Sequence, residues 1–151
     1  CETGFSPKAS HSHGYKKGCD FWYRKTFKMD KAYEGYHFML CFEGVIVFSE
    51  IYVNGSLLER SYSAYCEINI DITDRIHFGS TPNVIAVHID GNSEEGWWYE
   101  GAGIYRHVRL YAKPPLHIAH NGLWVKPVLK SDNDWTVELE TEIENSAYID
   151  D

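Results

Sequence analysis

The chain has 151 residues, 44% hydrophobic and 15% aromatic, with 22 acidic against 14 basic side chains and a formal charge of −8. That length holds one domain, or one domain and the start of another, and the apolar share suffices for a packed core. The negative balance argues against nucleic acid and anionic membrane surfaces, which need a basic footprint, and no apolar run approaches the roughly 20 residues of a membrane-spanning helix.

Residues 1–20, rich in Ser, Lys, His and Gly, read as an irregular lead-in. Phe21–Lys28 sets Trp22, Arg24 and Thr26 against Tyr23, Lys25 and Phe27, the period-2 alternation of a half-buried strand. Tyr36–Phe42 and Val45–Val53 are aromatic and β-branched strands with Glu43-Gly44 between them. Asn54-Gly55 predicts a two-residue hairpin turn, because both residues tolerate positive φ, and Leu57–Arg60 is the return strand. Glu67–Ile72 lines up Ile68, Ile70 and Ile72 on one face, and Asp74–Gly79 predicts a short helical turn. Asn83–Asp90 alternates Val84, Ala86 and His88 against Ile85, Val87 and Ile89. A polar acidic loop over Gly91–Gly96 leads to the aromatic run Trp97-Trp98-Tyr99 and then to a long strand, Ile104–Ala112.

Lys113-Pro114-Pro115 interrupts the pattern, since two prolines cannot continue a central strand. The segment marks a boundary between a first domain over 1–113 and a piece over 114–151, where Leu123–Leu129 and Thr136–Ile143 predict two further strands. Those strands are too few to bury a core alone. Short strands at this spacing, with no amphipathic helix, predict an all-β fold: an antiparallel sandwich with a short β tail.

Signs of local chemistry are sparse. Cys1, Cys19, Cys41 and Cys66 lack C-x-x-C spacing, which argues against a zinc site and favours buried or free thiols on strands. His11-x-His13 and His117-x-x-His120 have ligand-like spacing, but no acidic or thiol partner is placed beside them, so they read as surface histidines. Arg106 on its strand is expected to pair with Glu100 or Asp71. There is no Gly-x-Ser-x-Gly elbow, and Gly101-x-Gly103 runs into a strand rather than the helix a phosphate loop needs. No cofactor or metal is called for.

Several motifs stand in register. Phe21-Trp22-Tyr23-Arg24-Lys25-Thr26-Phe27, Phe42-Glu43-Gly44-Val45, Ile51-Tyr52-Val53-Asn54-Gly55, Asp71-Ile72-Thr73, Asn83-Val84-Ile85-Ala86-Val87 and Gly101-Ala102-Gly103-Ile104-Tyr105-Arg106 follow one another in this order. The sequence over roughly 14–145 resembles the N-terminal sugar-binding domain of glycoside hydrolase family 2, the β-galactosidase, β-glucuronidase and β-mannosidase group. The resemblance implies a jelly roll of the galactose-binding-domain type, with the tail opening an immunoglobulin-like sandwich. It departs from the family in lacking a Leu-Pro-x-Asp-Trp strand ahead of residues 5–20, and in having Leu57-Leu58-Glu59 where a glycine commonly follows the hairpin.

The resemblance also implies a role. In that family the two catalytic glutamates sit on a downstream TIM barrel, and glycoside hydrolysis with retention needs carboxyl groups about 5–5.5 Å apart. Glu94-Glu95 is the one acidic pair in a promising loop, and adjacent residues on an extended chain point apart. The chain is therefore expected to be a non-catalytic, sugar-binding or structural part of a glycosidase of the β-galactosidase type. It would buttress the barrel and contribute Asn54, Glu95, Trp97 and Trp98 to binding a β-galactoside or related sugar. The competing readings are a free-standing carbohydrate-binding module, a purely structural interface domain, and an enzyme in its own right, which the absent carboxylate pair argues against. The tail strands, deprived of partners, are expected to pair in a homodimer or to dock back on the jelly roll.

Overall fold

A computed structural model describes residues 20–46, 48–91 and 102–146. Eleven strands run in chain order: β1 Asp20–Phe27, β2 His37–Phe42, β3 Val45–Ile46, β4 Ser49–Val53, β5 Ser56–Ser61, β6 Ile68–Asp71, β7 Asn83–Asp90, β8 Gly103–Ile104, β9 Val108–Lys113, β10 Leu116–Ser131 and β11 Asp134–Asn145. Short 3₁₀ turns lie at Lys31–Tyr33 and Thr73–Arg75. The second is the expected helical turn, displaced toward the N-terminus because Asp71 accepts hydrogen bonds from the backbone N–H and the hydroxyl of Thr73.

Two antiparallel sheets form the sandwich, one in the order β1-β7-β4-β5 and the other β6-β2-β9. The strand alternation seen in the sequence decides what lies between them. Ile85, Val87 and Ile89 of β7, Ile51 and Val53 of β4, and Ile68 and Ile70 of β6 point inward to meet Phe38, Leu40 and Phe42 of β2. All of these are buried. Beside this core a cavity of about 520 Å³ is lined by Tyr23, Phe27, Phe42, Ile85, Ile104 and Leu110 among others.

Two expected strands are each broken. Val45–Val53 divides into β3 and β4, which belong to different sheets, and Ile104–Ala112 divides into β8 and β9. The short pieces pair with each other, Val45 opposite Ile104 and Ile46 opposite Gly103. The break after Ile104 has a packing cause. Tyr105 leaves the strand line to lay its ring over Gly44, where an added Cβ would sit 2.5 Å from Cζ, and its hydroxyl donates to the Ala64 carbonyl at 2.9 Å. β1 is also more exposed than a half-buried strand should be: only Phe21, Phe27 and part of Tyr23 turn inward, and Trp22 is 59% exposed.

Among the described residues β10 and β11 pair only with each other, through a register that runs from Leu116 opposite Asn145 to Ser131 opposite Asp134 and is unbroken from Leu123 opposite Thr141 to Leu129 opposite Trp135. Pro127 lies inside this ladder opposite Val137. The base of the hairpin packs on the β6-β2-β9 sheet. There His117 stacks on His37 with centroids 5.5 Å apart, His120 lies 6.1 Å from the ring of Tyr111, and Ala119 is buried. Further out the hairpin is amphipathic: Leu123, Val125, Leu129, Trp135, Val137 and Leu139 share one face by register, and all are more than half exposed.

Candidate functional site

The hairpin between β4 and β5 holds the described member of the expected site. Asn54 has φ 50° and Gly55 φ 85°, so both loop residues are left-handed as a type I′ turn requires. The side chain of Asn54 turns back into the protein. Its Nδ2 donates to the Arg75 carbonyl at 2.6 Å and to Asn83 Oδ1 at 2.9 Å, while its Oδ1 accepts from the Val84 N–H at 2.8 Å. A carboxamide has two N–H donors; both are spent, and one Oδ1 lone pair is left.

Asn83 completes the knot. It is fully buried, accepts from the His77 N–H at 2.8 Å through Oδ1, and donates through Nδ2 to the His77 carbonyl at 2.7 Å. The two asparagines thus fix the hairpin tip against the 72–83 connection without any ligand. Glu95, Trp97 and Trp98 lie outside the described residues.

Among the described residues three glutamates carry shifted pKa values, all downward. Glu43 accepts from Arg109 Nε at 2.7 Å, with His107 Nδ1 3.1 Å away, and the hydrogen bonds from these two side chains hold its carboxyl below the usual value. Glu50 accepts from the Tyr52 hydroxyl at 2.7 Å and from Arg60 Nε at 2.9 Å, with the same result. Glu67 is lowered by Asn69 and His120. Each is a fixed anion at neutral pH, which is the wrong protonation state for a general acid.

His117 and His120 do not converge on a common point but each face a different glutamate. His117 Nε2 lies 2.9 Å from Glu144, off the line of a good hydrogen bond, and His120 Nε2 lies 3.1 Å from Glu67. His117 corrects the surface expectation, since its side chain is only 7% exposed beneath the hairpin base. Among the described residues no cluster of His, Cys, Asp and Glu suits a metal ion. Arg106 lies over the Tyr105 ring at 5.5 Å; Asp71 is engaged with Thr73 and 3.9 Å from His37, and Glu100 lies outside the described residues. Cys41 is a buried free thiol, pushed up to about 11 mainly by burial, and Cys66 is free and exposed. Cys1 and Cys19, like His11 and His13, lie outside the described residues.

A feature the sequence did not single out crosses the outer face of the β1-β7-β4-β5 sheet. Trp22 stands opposite His88, His88 opposite Glu50, and Glu50 opposite Arg60, one residue from each strand in a transverse row. The alternation of β1 and β7 signals that Trp22 and His88 each face outward, but the strand order that aligns them is not in the local pattern.

The family profile described as glycosyl hydrolase 2 galactose-binding domain-like matches residues 8–114. The chain belongs to glycoside hydrolase family 2. As a galactose-binding-like domain of that family, it is 38% identical over 129 residues to the β-galactosidase BoGH2A of Bacteroides ovatus, an alignment covering 83% of this chain and 15% of that protein. It is 30% identical to a β-glucuronidase of Formosa agariphila, across 89% of this chain and 16% of the relative. A family 2 glycosyl hydrolase from Bacteroides cellulosilyticus superposes with a TM-score of 0.81 at 30% identity, over 93% of this chain and 19% of that one. The family 2 domain therefore spans about a sixth of the length of the relatives it matches.

Proposed function

We propose that this domain is the non-catalytic, substrate-side part of a larger family 2 glycosidase of the β-galactosidase type. The observation that carries the reading is the state of three described acids: Glu43 and Glu50 are tied to cationic or hydroxyl donors and Glu67 to Asn69 and His120, each with a lowered pKa, so none of the three is poised to protonate a leaving group. The similarity to BoGH2A supports the galactosidase type. The domain buttresses a catalytic barrel and lends it the Asn54-Gly55 tip. Asn54 positions that tip and keeps one Oδ1 lone pair for a sugar hydroxyl; Glu95, Trp97 and Trp98 join it on the strength of the sequence.

The tail belongs to the same reading. The uncovered apolar face from Leu123 to Leu139 is half of a sandwich, and the next immunoglobulin-like domain of the parent supplies the other half. In the isolated chain a second copy takes that place, giving a homodimer that Leu139→Lys returns to monomer in sedimentation.

The kinetic test compares the 151-residue chain with the polypeptide extended through its downstream domains, on aryl β-galactosides and β-glucuronides. The chain alone should show no turnover. The extended enzyme should be active, with KM raised by Asn54→Gly. Turnover by the chain alone refutes the non-catalytic role, and an unchanged KM refutes the pocket role.

A further inference from the structure

The transverse row on the outer sheet face is built as a platform. The Trp22 indole lies on the His88 imidazole, with centroids 4.7 Å apart and planes inclined by 27°, and it meets the Tyr52 ring at 5.9 Å. One face of the indole is thus supported by a residue rooted in β7. With 59% of Trp22 exposed, the other face is open to solvent. A tryptophan kept this wet on a sheet forfeits most of the gain of burying it.

Polar groups flank the ring and are already fixed. Glu50 is held from both sides by Tyr52 and Arg60, and His88 Nδ1 is 3.6 Å from its Oε2. Arg60 spends only Nε on Glu50 and its side chain is 59% exposed, so its terminal NH₂ groups still have donors to offer. The row extends from β1 to β5. At about 4.8 Å between neighbouring strands it spans about 14 Å.

We propose that this face is a carbohydrate-binding site, separate from the Asn54 hairpin, that takes a neutral β-linked glycan along the row from Trp22 to Arg60. The C–H face of a pyranose ring is flat and weakly positive, and it stacks on the electron-rich indole face. The following sugar units along the row then bring their equatorial hydroxyls to the carboxylate of Glu50 and the guanidinium of Arg60. Chains joined through equatorial bonds are flat ribbons, which suits a platform rather than a pit.

Charge sorts the alternatives. Glu50 and Arg60 neutralise each other, and the chain as a whole carries −8, so an anionic polyuronide is repelled. A protein partner would have to desolvate the Glu50–Arg60 pair at the centre of the patch, where interface cores are depleted in charge. A glycan brings hydroxyls that replace the lost water. The hairpin tip lies four residues along β4 from Glu50, about 13 Å away, too far for one sugar ring to bridge both.

The test is a titration of the isotopically labelled 151-residue chain with β-1,4-linked gluco-, manno- and galacto-oligosaccharides and with an oligogalacturonide, followed by NMR. The Trp22 indole N–H and Arg60 Nε–H signals should shift with a neutral oligosaccharide at a Kd on the order of 1 mM. Trp22→Ala should weaken binding by about tenfold or more, while Trp124→Ala, an equally exposed tryptophan on the hairpin, should not. Arg60→Ala, a change at an exposed side chain, should weaken it severalfold and serves if Trp22→Ala fails to fold. No shift with any neutral oligosaccharide overturns the proposal, as does affinity that survives loss of Trp22 and Arg60, or preference for the oligogalacturonide. A change in sedimentation on Trp22→Ala would mark the face as a contact between copies and would overturn it too.

Discussion

Replacing Asn54 separates the two things its side chain does. The first is hydrogen bonding to Arg75, Asn83 and Val84, of which the bond to Arg75 is open to solvent and the other two are partly buried. At about 1 kcal/mol net for a sheltered bond and less for the exposed one, the three together contribute about 2.5 kcal/mol. The second is tolerance of φ 50°, which costs an alanine about 1 kcal/mol more. Asn54→Gly loses only the bonds, so it should cost about 2.5 kcal/mol, and Asn54→Ala about 3.5 kcal/mol. For a chain of this size the alanine variant should melt about 10 °C lower.

Asn54→Asp keeps the acceptor for Val84 but sets oxygen against the Arg75 carbonyl and Asn83 Oδ1. At neutral pH it should be at least as damaging as glycine. Its carboxyl is then easier to protonate folded than unfolded. The variant therefore regains stability as the pH falls through that raised value, and loses it again as the pH rises. Urea melts of the three variants at neutral and acidic pH test the set. An alanine cost under about 1 kcal/mol, or a glycine variant no better than alanine, would refute the account of the knot.

Gly44→Ala must push the Tyr105 ring off its place and strain its bond to Ala64, so it should cost about 1–3 kcal/mol, with much less lost in a Tyr105→Ala background. Glu43, Glu50 and Glu67 have folded pKa values below the ordinary 4.5, so the stability they contribute is present above that pH and is lost as the pH falls through their lowered values. The acid limb of a urea-midpoint profile should therefore flatten in Glu43→Gln. Iodoacetamide should label Cys66 in the folded protein and reach Cys41 only after unfolding, as mass spectrometry of the alkylated peptides would show.

The strands were legible where one face is buried and the other is not. β7 shows perfect alternation from Asn83 to Asp90, and its sequence says so. The turn at Asn54-Gly55 was equally clear, because its chemistry is local. The breaks after Ile46 and Ile104 were not legible. Nothing in a run of β-branched and aromatic residues marks a change of sheet, and the break after Ile104 accompanies Tyr105 finding Gly44 from 61 positions away, a contact between distant stretches. The candidate site divides the same way. That Asn54 and Gly55 form the turn could be read from the motif; that Arg75 and Asn83 occupy the Asn54 amide could not, since they lie 21 and 29 residues on. The Trp22-His88-Glu50-Arg60 row needs four strands in an order unlike their chain order.

Pro127 gives the open hairpin a direction. The ladder to β11 passes through Pro127 opposite Val137 without a slip, so the proline ring occupies the side of β10 that faces away from its partner. That outer edge lacks a donor where an added strand would need one, and a chain approaching it meets a gap in its hydrogen-bond register. β11 has no such interruption between Asp134 and Asn145. Growth of this sheet is therefore one-sided: an added strand is steered to β11 and turned away from β10.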